Sequence, residues 1–419
     1  MEEQFNKDSD MSEENISQEG KKLRSSFKRG VLAGASCVLA VLALLLLGGL
    51  IFLKNTSSDF LDSNTRTKIK LIAQMIDKYY YKEVDDETKE EGLYRGLVES
   101  TGDKYSTYYS SDELADVMKG YEGHYEGIGV TLTQDKESGK VLVINVIKDT
   151  PGEKAGILAG DEIISADSFT AASMDLTNFV SKIKGEEGTK VKITGKHANG
   201  KTYSVDVPRE KIVYPTVEYQ MLTDDIGLIS ISGFDEETKN SFDKAVKELK
   251  RSGMKAVIYD LRTNPGGLVK SVTEILDEIL PKGVLVYLLD KEGVRKDFTS
   301  DDEHQLDIPS VVLISQSTAS SGEIFAGAMR DFDKATLIGE TTYGKGIVQD
   351  IKPLPDGSAI KLTIETYYTP KGECIHEKGI KPDIELAFQY NGDKKSLKYD
   401  YLKDVQVQKA IKVLENEKR

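Results

Sequence analysis

Residues 310–329 read SVVLISQSTASSGEIFAGAM and change their hydrophobic period halfway along. The first part, from Ser310 to Ser315, is an apolar run of the kind that forms a buried strand. The second part carries apolar side chains at helical spacing, namely Ile324, Phe325, Ala328 and Met329. A strand that leads into a helix in this way is typical of an α/β layer, in which helices pack on a sheet.

The same alternation extends to both sides of this segment. Strands are predicted over residues 227–232 and 256–261, and the helix between them places Phe242, Ala245, Val246 and Leu249 on one face. Further strands are predicted near Thr336 and Ala359. We therefore predict an α/β domain over residues 211–390, followed by a C-terminal helical segment over residues 391–419.

Two other modules are predicted on the N-terminal side of this domain. Residues 54–115 contain two stretches with helical periodicity, 65–81 and 86–99, which predict a small helical cap. Residues 116–210 consist of short β-rich runs separated by Gly and Asp turns, which predict a separate β-rich module.

A membrane anchor is predicted before the cap. Residues 30–53 carry no charged side chain and would span about 36 Å as a helix, enough to cross a bilayer. Basic residues concentrate at positions 21–29, so residues 1–29 are predicted to be a cytoplasmic tail and the remainder extracytoplasmic. A cleaved signal peptide normally has a shorter apolar stretch and a small-residue cleavage site, whereas this run ends in Ile51-Phe52-Leu53-Lys54. We therefore predict a single-pass, uncleaved anchor in the cell membrane.

The composition excludes several function classes. Acidic residues outnumber basic ones by 70 to 56, and the net charge of −14 argues against a surface that neutralises nucleic-acid phosphates. The 2 cysteines and 4 histidines are scattered without metal-ligand spacing. We therefore expect no nucleic-acid partner, no disulfide framework, no metal site and no cofactor.

Ser320 lies at the predicted turn from strand to helix. A serine at this position is presented near the positive end of the helix dipole, where a negative oxygen is stabilised, and this suits a nucleophile. Glu323 follows three residues later, however, and this spacing also fits a helix capping box. Taken alone, the segment favours the capping interpretation.

Lys345 lies between Gly344 and Gly346, which allow close backbone approach around its amine. Residues 339–345 imitate a phosphate-binding P-loop, but Gly346 replaces the required Ser or Thr, and a strand-like run follows where a helix is needed. A nucleotide site is therefore disfavoured. Because no histidine lies near Ser320 in the sequence, and His304 and His376 are distant, a Ser–Lys pair is simpler than a Ser–His–Asp arrangement.

A third motif, DLRTNPGG at residues 260–267, ends a predicted strand in two glycines. Backbone N–H groups in such a turn can point at a bound carbonyl and form an oxyanion hole. A plain strand-ending turn is the alternative interpretation.

Together these three motifs resemble the carboxyl-terminal processing proteases, the tail-specific serine peptidases of peptidase family S41. That family shows D-L-R-x-N-x-G-G, then a serine in T/S-A-S-x-x-E, then a lysine 25 residues later in G-K-G, with a glutamine four residues beyond it. Residues 260–267, Ser320, Lys345 and Gln349 reproduce the motifs and their separations, and GIKPD at residues 379–383 is similar to the family's G-I-x-P-D. The resemblance covers about residues 60–415.

The resemblance implies a role for each matching residue. Ser320 would be the nucleophile, Lys345 the general base and Gln349 the residue that orients the lysine amine. The amide of Ser321 and one amide from the pair Gly266 and Gly267 would form the oxyanion hole. The lysine must then be desolvated, because its ordinary pKa of about 10.4 keeps it charged at neutral pH.

The resemblance also implies that the β-rich module is PDZ-like. Residues 125–130, YEGIGV, look like a carboxylate-binding loop, with Gly127, Ile128, Gly129 and Val130 as the predicted contacts. An extended peptide with an apolar C-terminal tail would add a strand to the sheet edge beside this loop. The sequence departs from such modules at Ala166-Asp167-Ser168, where they usually carry Asp-Gly or Asn-Gly, so we expect an altered hairpin there.

The expected protein is therefore an α/β multidomain chain with one transmembrane helix, a helical cap, a PDZ-like module and a crotonase-like serine peptidase core. Its expected function is endoproteolytic cleavage of protein substrates near their C-termini, with gating by the PDZ-like module as a further hypothesis. A membrane-anchored PDZ adaptor without activity is the alternative, and an acyl-CoA enzyme is disfavoured by the outward topology. Apolar faces on the cap helices and on residues 401–414 leave both a homodimer and intramolecular packing open.

Overall fold

The computed structural model describes residues 59–417, except 136–137, 302, 304 and 394–398. The predicted cytoplasmic tail and membrane anchor lie outside these residues. Within the described part of the chain, no helix combines the length and the apolar character needed to cross a bilayer.

The chain divides into two units, Met1–Glu90 and Glu91–Arg419. In the first unit, helix α1 (Ser63–Tyr79) begins where the Asp62 carboxylate accepts a hydrogen bond from the Thr65 amide at 2.7 Å. None of its side chains is buried. Helix α2 (Asp86–Glu99) follows, so helices occupy both stretches where periodicity predicted them.

The second unit begins with the remainder of the cap. Strand β1 (Thr107–Tyr109) and helix α3 (Ser111–Glu122) follow α2, and Ser110 with Glu113 forms a capping box at the start of α3. Strand β1 pairs with a strand of the α/β domain, with Thr107 opposite Lys361. The cap segment after Glu91 therefore contributes a strand as well as helices.

In its described residues, the β-rich module contains strands β2 to β9 and two short α-helices. The strands are β2 (His124–Gly127), β3 (Val130–Gln134), β4 (Val141–Val146), β5 (Glu162–Ala166), β6 (Phe169–Thr170), β7 (Lys190–Lys196), β8 (Thr202–Pro208) and β9 (Glu210–Val213), and the helices are α4 (Pro151–Lys154) and α5 (Leu176–Ile183). The main sheet has the order β3-β4-β5-β7-β8, so β3 lies at its edge. Its core is completely buried at Val141, Phe179, Val191, Ile193 and Val207.

The β5–β6 hairpin forms despite the departure noted in its turn. Asp167 adopts a positive φ of 52°, a region that Asp tolerates better than most residues. Its carboxylate accepts a hydrogen bond from the Lys192 amide at 2.9 Å. Asp167 therefore supplies the turn geometry that a glycine usually provides.

The α/β domain is built on a mostly parallel sheet of six strands in the order β10-β11-β12-β15-β16-β19. These are β10 (Val217–Met221), β11 (Ile226–Ile231), β12 (Ala256–Asp260), β15 (Ser310–Ile314), β16 (Ala335–Gly339) and β19 (Ile384–Glu385). A second sheet has the order β1-β18-β13-β14, and β17 also pairs with β18. Its strands are β13 (Gly283–Asp290), β14 (Arg295–Ser300), β17 (Ile347–Pro353) and β18 (Ala359–Tyr368).

Helices cover both faces of the six-stranded sheet, as buried parallel strands require. Helices α6 (Thr238–Arg251), α7 (Val269–Asp277) and α8 (Ser321–Asp331) share one core with Val257, Tyr259 and Val312. The C-terminal helix α9 (Val405–Glu417) buries Val407, Ala410 and Leu414 against Ile258 and Leu313 on the other face. The apolar face predicted over residues 401–414 is therefore used for packing within the chain.

Candidate active site

Ser320 lies on a tight turn between β15 and α8. Its φ of 53° and ψ of −118° are unusual for a residue other than glycine and cost about 1–3 kcal/mol. The turn is held against the end of β12, where Ala319 N donates to Asn264 O at 3.0 Å and Thr318 Oγ1 donates to Leu261 O at 2.8 Å. The surrounding bonds therefore fix a strained backbone at the residue predicted to be the nucleophile.

Glu323 is the shared acceptor that joins the serine turn to the lysine loop. Its carboxylate is fully buried, and Oε2 accepts hydrogen bonds from Ser320 N at 2.9 Å and Lys345 N at 2.8 Å. Oε1 accepts from Gly344 N at 2.7 Å and from Thr342 Oγ1. Because Ser320 N and Lys345 N share one oxygen, they lie within two hydrogen-bond lengths of each other.

The protonation of Glu323 follows from these neighbours. Burial raises its pKa, whereas the hydrogen bonds from Thr342, Gly344, Lys345 and Ser320 lower it, and burial dominates. Three of the four partners are backbone N–H groups, which can only donate, and the two carboxylate oxygens accept all four hydrogen bonds. The ionised carboxylate is therefore the form that fits this pocket. The sequence pattern predicts only a capping role for Glu323, and its bonds to the lysine loop are a second role that no local pattern indicates.

The glycines on both sides of Lys345 are required by close backbone contacts. A Cβ added to Gly346 would lie 2.6 Å from His376 N, and one added to Gly344 would lie 2.9 Å from Gly379 N. Gly344 also has a positive φ of 86°. The loop is held to this neighbouring segment because Glu377 N donates to Gly344 O at 2.8 Å.

Lys345 is half-buried, and its amine lies 4.7 Å from the centre of the Tyr105 ring. Burial lowers the pKa of Lys345 below the usual lysine value, and the positive charge of Lys361 lowers it further. The charges of Asp103, Tyr343 and Glu323 act in the opposite direction. The net direction favours the neutral amine that a general base needs.

Gln349 lies on β17, directly opposite Thr363 of β18. Its Nε2 donates to Thr363 Oγ1 at 3.1 Å. Asp350, the next residue, instead forms an ion pair with Lys352 at 2.6 Å.

The predicted oxyanion residues lie beside Ser320. A Cβ on Gly266 would be 2.7 Å from the Ser320 Cβ, so this glycine backbone packs directly against the serine. Gly266 N donates to Asn264 Oδ1 at 2.8 Å, so this amide is already used. The amide of Gly267 is therefore the glycine candidate for the oxyanion hole. Ser321 is the first residue of α8, where helix amides have no partner within the helix.

Arg262, in the same motif, connects β12 to the C-terminal helix. It donates to Asp260 Oδ2 at 2.6 Å, to Asp404 Oδ2 at 2.5 Å and to Gln406 Oε1 at 2.8 Å. Asp404 and Gln406 are fully buried. The motif at residues 260–267 therefore has two roles. It carries Gly266 and Gly267, and through Arg262 it fixes their loop to the C-terminal part of the chain.

His376, the described histidine that contacts the lysine loop, does not offer a better base. His376 packs against Gly346 through its backbone and Cβ, but its Nδ1 is buried without a hydrogen-bond partner. A Ser–His–Asp triad needs that nitrogen to be held by a carboxylate. His304 lies outside the described residues.

The four predicted peptide-binding residues line one groove in the β-rich module. Its cavity of about 220 Å³ is bordered by residues 127–130 and the edge strand β3 on one side, and by Val180, Ile183 and Lys184 on the other. Tyr125, Ile147, Tyr214 and Pro215 also line the groove. The groove places an unpaired strand edge beside an apolar helix face, as addition of a peptide strand requires.

The chain is similar to known proteins in two separate segments and over most of its length. Residues 225–386 match the model of peptidase family S41, and residues 127–208 match that of the PDZ domain. The chain is 34% identical over 319 residues to carboxy-terminal processing protease CtpA of Bacillus subtilis, covering 76% of this chain and 68% of that protein. It is also 34% identical over 324 residues to CtpB of the same organism, covering 76% and 67%.

A solved structure supports the fold alone. The crystal structure of a putative S41 protease from Bacteroides fragilis superimposes with a TM-score of 0.51 at 16% sequence identity, covering 83% of this chain and 97% of that chain.

Proposed function

Because this chain belongs to peptidase family S41 and is a carboxy-terminal processing serine protease with a PDZ domain, we propose that Ser320, Lys345 and Gln349 perform its chemistry. Ser320 is the nucleophile, Lys345 the general base and Gln349 the residue that orients the lysine amine. The observation that supports this assignment best is the single oxygen of Glu323 that binds both the Ser320 and the Lys345 amides. Membership of a serine peptidase family also sets aside the adaptor and acyl-CoA alternatives.

The proposed reaction assigns one step to each of these groups. The neutral Lys345 amine takes the hydroxyl proton as Ser320 Oγ attacks the scissile carbonyl. The Ser321 and Gly267 amides receive the developing negative oxygen. The lysine ammonium then gives its proton to the leaving amine, and water hydrolyses the acyl-enzyme through the same base.

The PDZ groove is proposed to capture the substrate tail. The terminal carboxylate binds the amides of the loop formed by Gly127, Ile128, Gly129 and Val130, and the peptide pairs with β3. The apolar lining from Val180 and Ile183 favours apolar tail residues. Protein or peptide substrates with such tails are therefore the proposed partners.

Membrane anchoring is proposed from the sequence. The uncharged run at residues 30–53 and the basic flank before it support a catalytic part that lies outside the cell. Protease added to intact cells should degrade an epitope tag at the C-terminus and spare one at the N-terminus. Protection of both tags would contradict the proposed topology.

A homodimer is proposed through the N-terminal helices rather than α9. On α1, Leu71, Ile72 and Met75 are about half exposed, which leaves an apolar surface in the first unit. Light scattering of the full chain in detergent should give a protein mass twice that of a single chain. The variant L71S/M75S should have the mass of a single chain. An unchanged mass in that variant would exclude this surface as the interface.

The proposed chemistry is tested by incubating the full-length chain in detergent with an unfolded reporter protein that ends in Ala-Leu-Ala. The wild type should release C-terminal fragments that mass spectrometry identifies, and Ser320→Ala and Lys345→Ala should release none. Thermal unfolding midpoints close to that of the wild type serve as the control for folding. Normal turnover by either variant would overturn the assignment.

A further inference from the structure

A chain of hydrogen bonds connects Gln349 to the cap. Gln349 Nε2 donates to Thr363 Oγ1 at 3.1 Å, and Thr363 Oγ1 donates to Asp103 Oδ2 at 2.6 Å. Asp103 precedes β1 in the cap, far from Thr363 in sequence. The orientation of a residue on β17 is therefore linked to a carboxylate of the N-terminal part of the second unit.

The segment that carries Asp103 is fixed in place by several bonds. Ser106 Oγ donates to Asp103 Oδ2 at 2.6 Å and accepts from Thr363 N at 3.1 Å. Tyr105 N donates to Asp103 Oδ1 at 3.1 Å. Tyr105 is also the residue whose ring faces the Lys345 amine, so this segment borders the site.

The chemistry of Asp103 sets the direction of the whole chain. A carboxylate can only accept, so the Thr363 hydroxyl must use its hydrogen on Asp103. The Thr363 oxygen then has only lone pairs for Gln349, and it must face the amide NH₂ group. The amide oxygen of Gln349 consequently points away from Thr363.

We propose that Asp103 and Thr363 are positioning residues that hold the Gln349 amide in one orientation, so that Oε1 is the atom offered to the Lys345 amine. This inference rests on the proposed roles of Lys345 and Gln349. With Oε1 facing it, the amine donates a hydrogen to Gln349 and keeps its lone pair for Ser320. A reversed amide would donate to that lone pair and block it.

Asp103 has an opposing effect on the base. Its negative charge raises the pKa of Lys345, which disfavours the neutral amine. Burial raises the pKa of Asp103, but the hydrogen bonds from Ser106 and Thr363 outweigh burial and keep it below the ordinary value. The Asp103 carboxylate is therefore charged at neutral pH. Its proposed role in orienting the Gln349 amide compensates for the unfavourable effect of this charge on the pKa of Lys345.

The test uses Thr363→Val, which keeps the shape and removes the hydroxyl, with Thr363→Ser as the matched control that retains it. Single-turnover cleavage of the Ala-Leu-Ala reporter by excess full-length enzyme keeps slow variants measurable. Thr363→Val should lower the cleavage rate by on the order of tenfold to a hundredfold, because the amide is no longer held. Thr363→Ser should restore the rate.

A pH profile separates orientation from general structural damage. The rate rises with pH as Lys345 loses its proton. A reversed amide no longer stabilises the ammonium, so in Thr363→Val the acid limb should move to lower pH while the plateau falls. Asp103→Asn should move the limb in the same direction, because it removes the negative charge that raises the pKa of Lys345.

Coupling to Gln349 completes the test. In a Gln349→Ala background, Thr363→Val should cause little further loss of rate. An unchanged rate or acid limb in Thr363→Val, or an undiminished loss in the Gln349→Ala background, would overturn the proposal. If Ser320→Ala cleaved the reporter, the proposed function itself would fail, and this outcome is distinguishable because it does not involve Thr363.

Discussion

The backbone amides of Ser320 and Lys345 donate to the same oxygen, Oε2 of Glu323, at 2.9 and 2.8 Å. Two loops that are separate in sequence are thereby fixed to one buried charge. The carboxylate has no free acceptor site for water or substrate, because Gly344 N and Thr342 Oγ1 occupy the other oxygen. Its contribution to the site is therefore to position the backbones on either side.

Glu323→Gln should remove most activity and destabilise the domain. The amide NH₂ must face at least one of the donors that the carboxylate accepts, which leaves buried donors unpaired at about 1–3 kcal/mol. Cleavage of the Ala-Leu-Ala reporter and the thermal unfolding midpoint measure the two effects. Glu373→Gln, a half-exposed carboxylate paired with Arg330, is the control and should change stability by less than about 1 kcal/mol. Full activity in Glu323→Gln would contradict the positioning role.

The pH dependence should reveal how Lys361 acts on the proposed base. The positive charge of Lys361 lowers the pKa of Lys345. Lys361→Ala should therefore raise that pKa, so that the acid limb of the rate profile moves to higher pH. Lys352→Ala, on the neighbouring strand and paired with Asp350, is the matched control and should leave the limb in place. A shift to lower pH in Lys361→Ala would show that another group titrates.

How much of the site could be foreseen depends on the distance between interacting residues in the sequence. The turn at Ser320 was predictable because a strand period gives way to a helix period within one short segment, and α8 begins at Ser321 as expected. The second role of Glu323 was not, since Gly344 and Lys345 lie 21 and 22 residues away in a loop without periodicity. The spacing of Ser320 and Glu323 gave the only local signal.

Contacts between residues that are farther apart in the sequence could not be predicted from the hydrophobic pattern. Arg262 was expected only within a turn motif, yet it binds Asp404, 142 residues later. The bond between Thr363 and Asp103 spans 260 residues. Such pairs follow from how strands and helices are arranged in space, which hydrophobic periodicity does not specify.

Gly344→Ala should lower the free energy of unfolding by more than the positive φ of Gly344 alone explains. Gly344 and Gly293 have similar φ values of 86° and 79°, but nothing lies within 4 Å of a Cβ at Gly293, whereas Gly379 N lies 2.9 Å from one at Gly344. Gly293→Ala should therefore lose about 1–2 kcal/mol of unfolding free energy and keep its activity. Gly344→Ala should lose more stability and also lose activity, because Lys345 is displaced. Denaturant unfolding measures the loss of stability, and reporter cleavage measures the loss of activity. If Gly293→Ala and Gly344→Ala lost equal stability, crowding of the added Cβ would be excluded as the cause.

Val180→Asp should separate tail capture from chemistry. Val180 lines the groove beside β3, so a carboxylate there would repel a terminal carboxylate and replace an apolar contact with an apolar tail. Fluorescence anisotropy of a labelled Ala-Leu-Ala peptide should show binding weakened by about tenfold or more, equivalent to at least about 1.4 kcal/mol. Asn178→Asp, at an exposed position on the opposite face of the same helix, should bind as the wild type does. Because Val180 lies outside the residues proposed for catalysis, Val180→Asp should still cleave a short peptide without a free C-terminus. If such a peptide were cleaved only by the wild type, the groove would have to act on the peptidase site itself. Unchanged anisotropy in Val180→Asp would exclude this groove as the site that binds the tail.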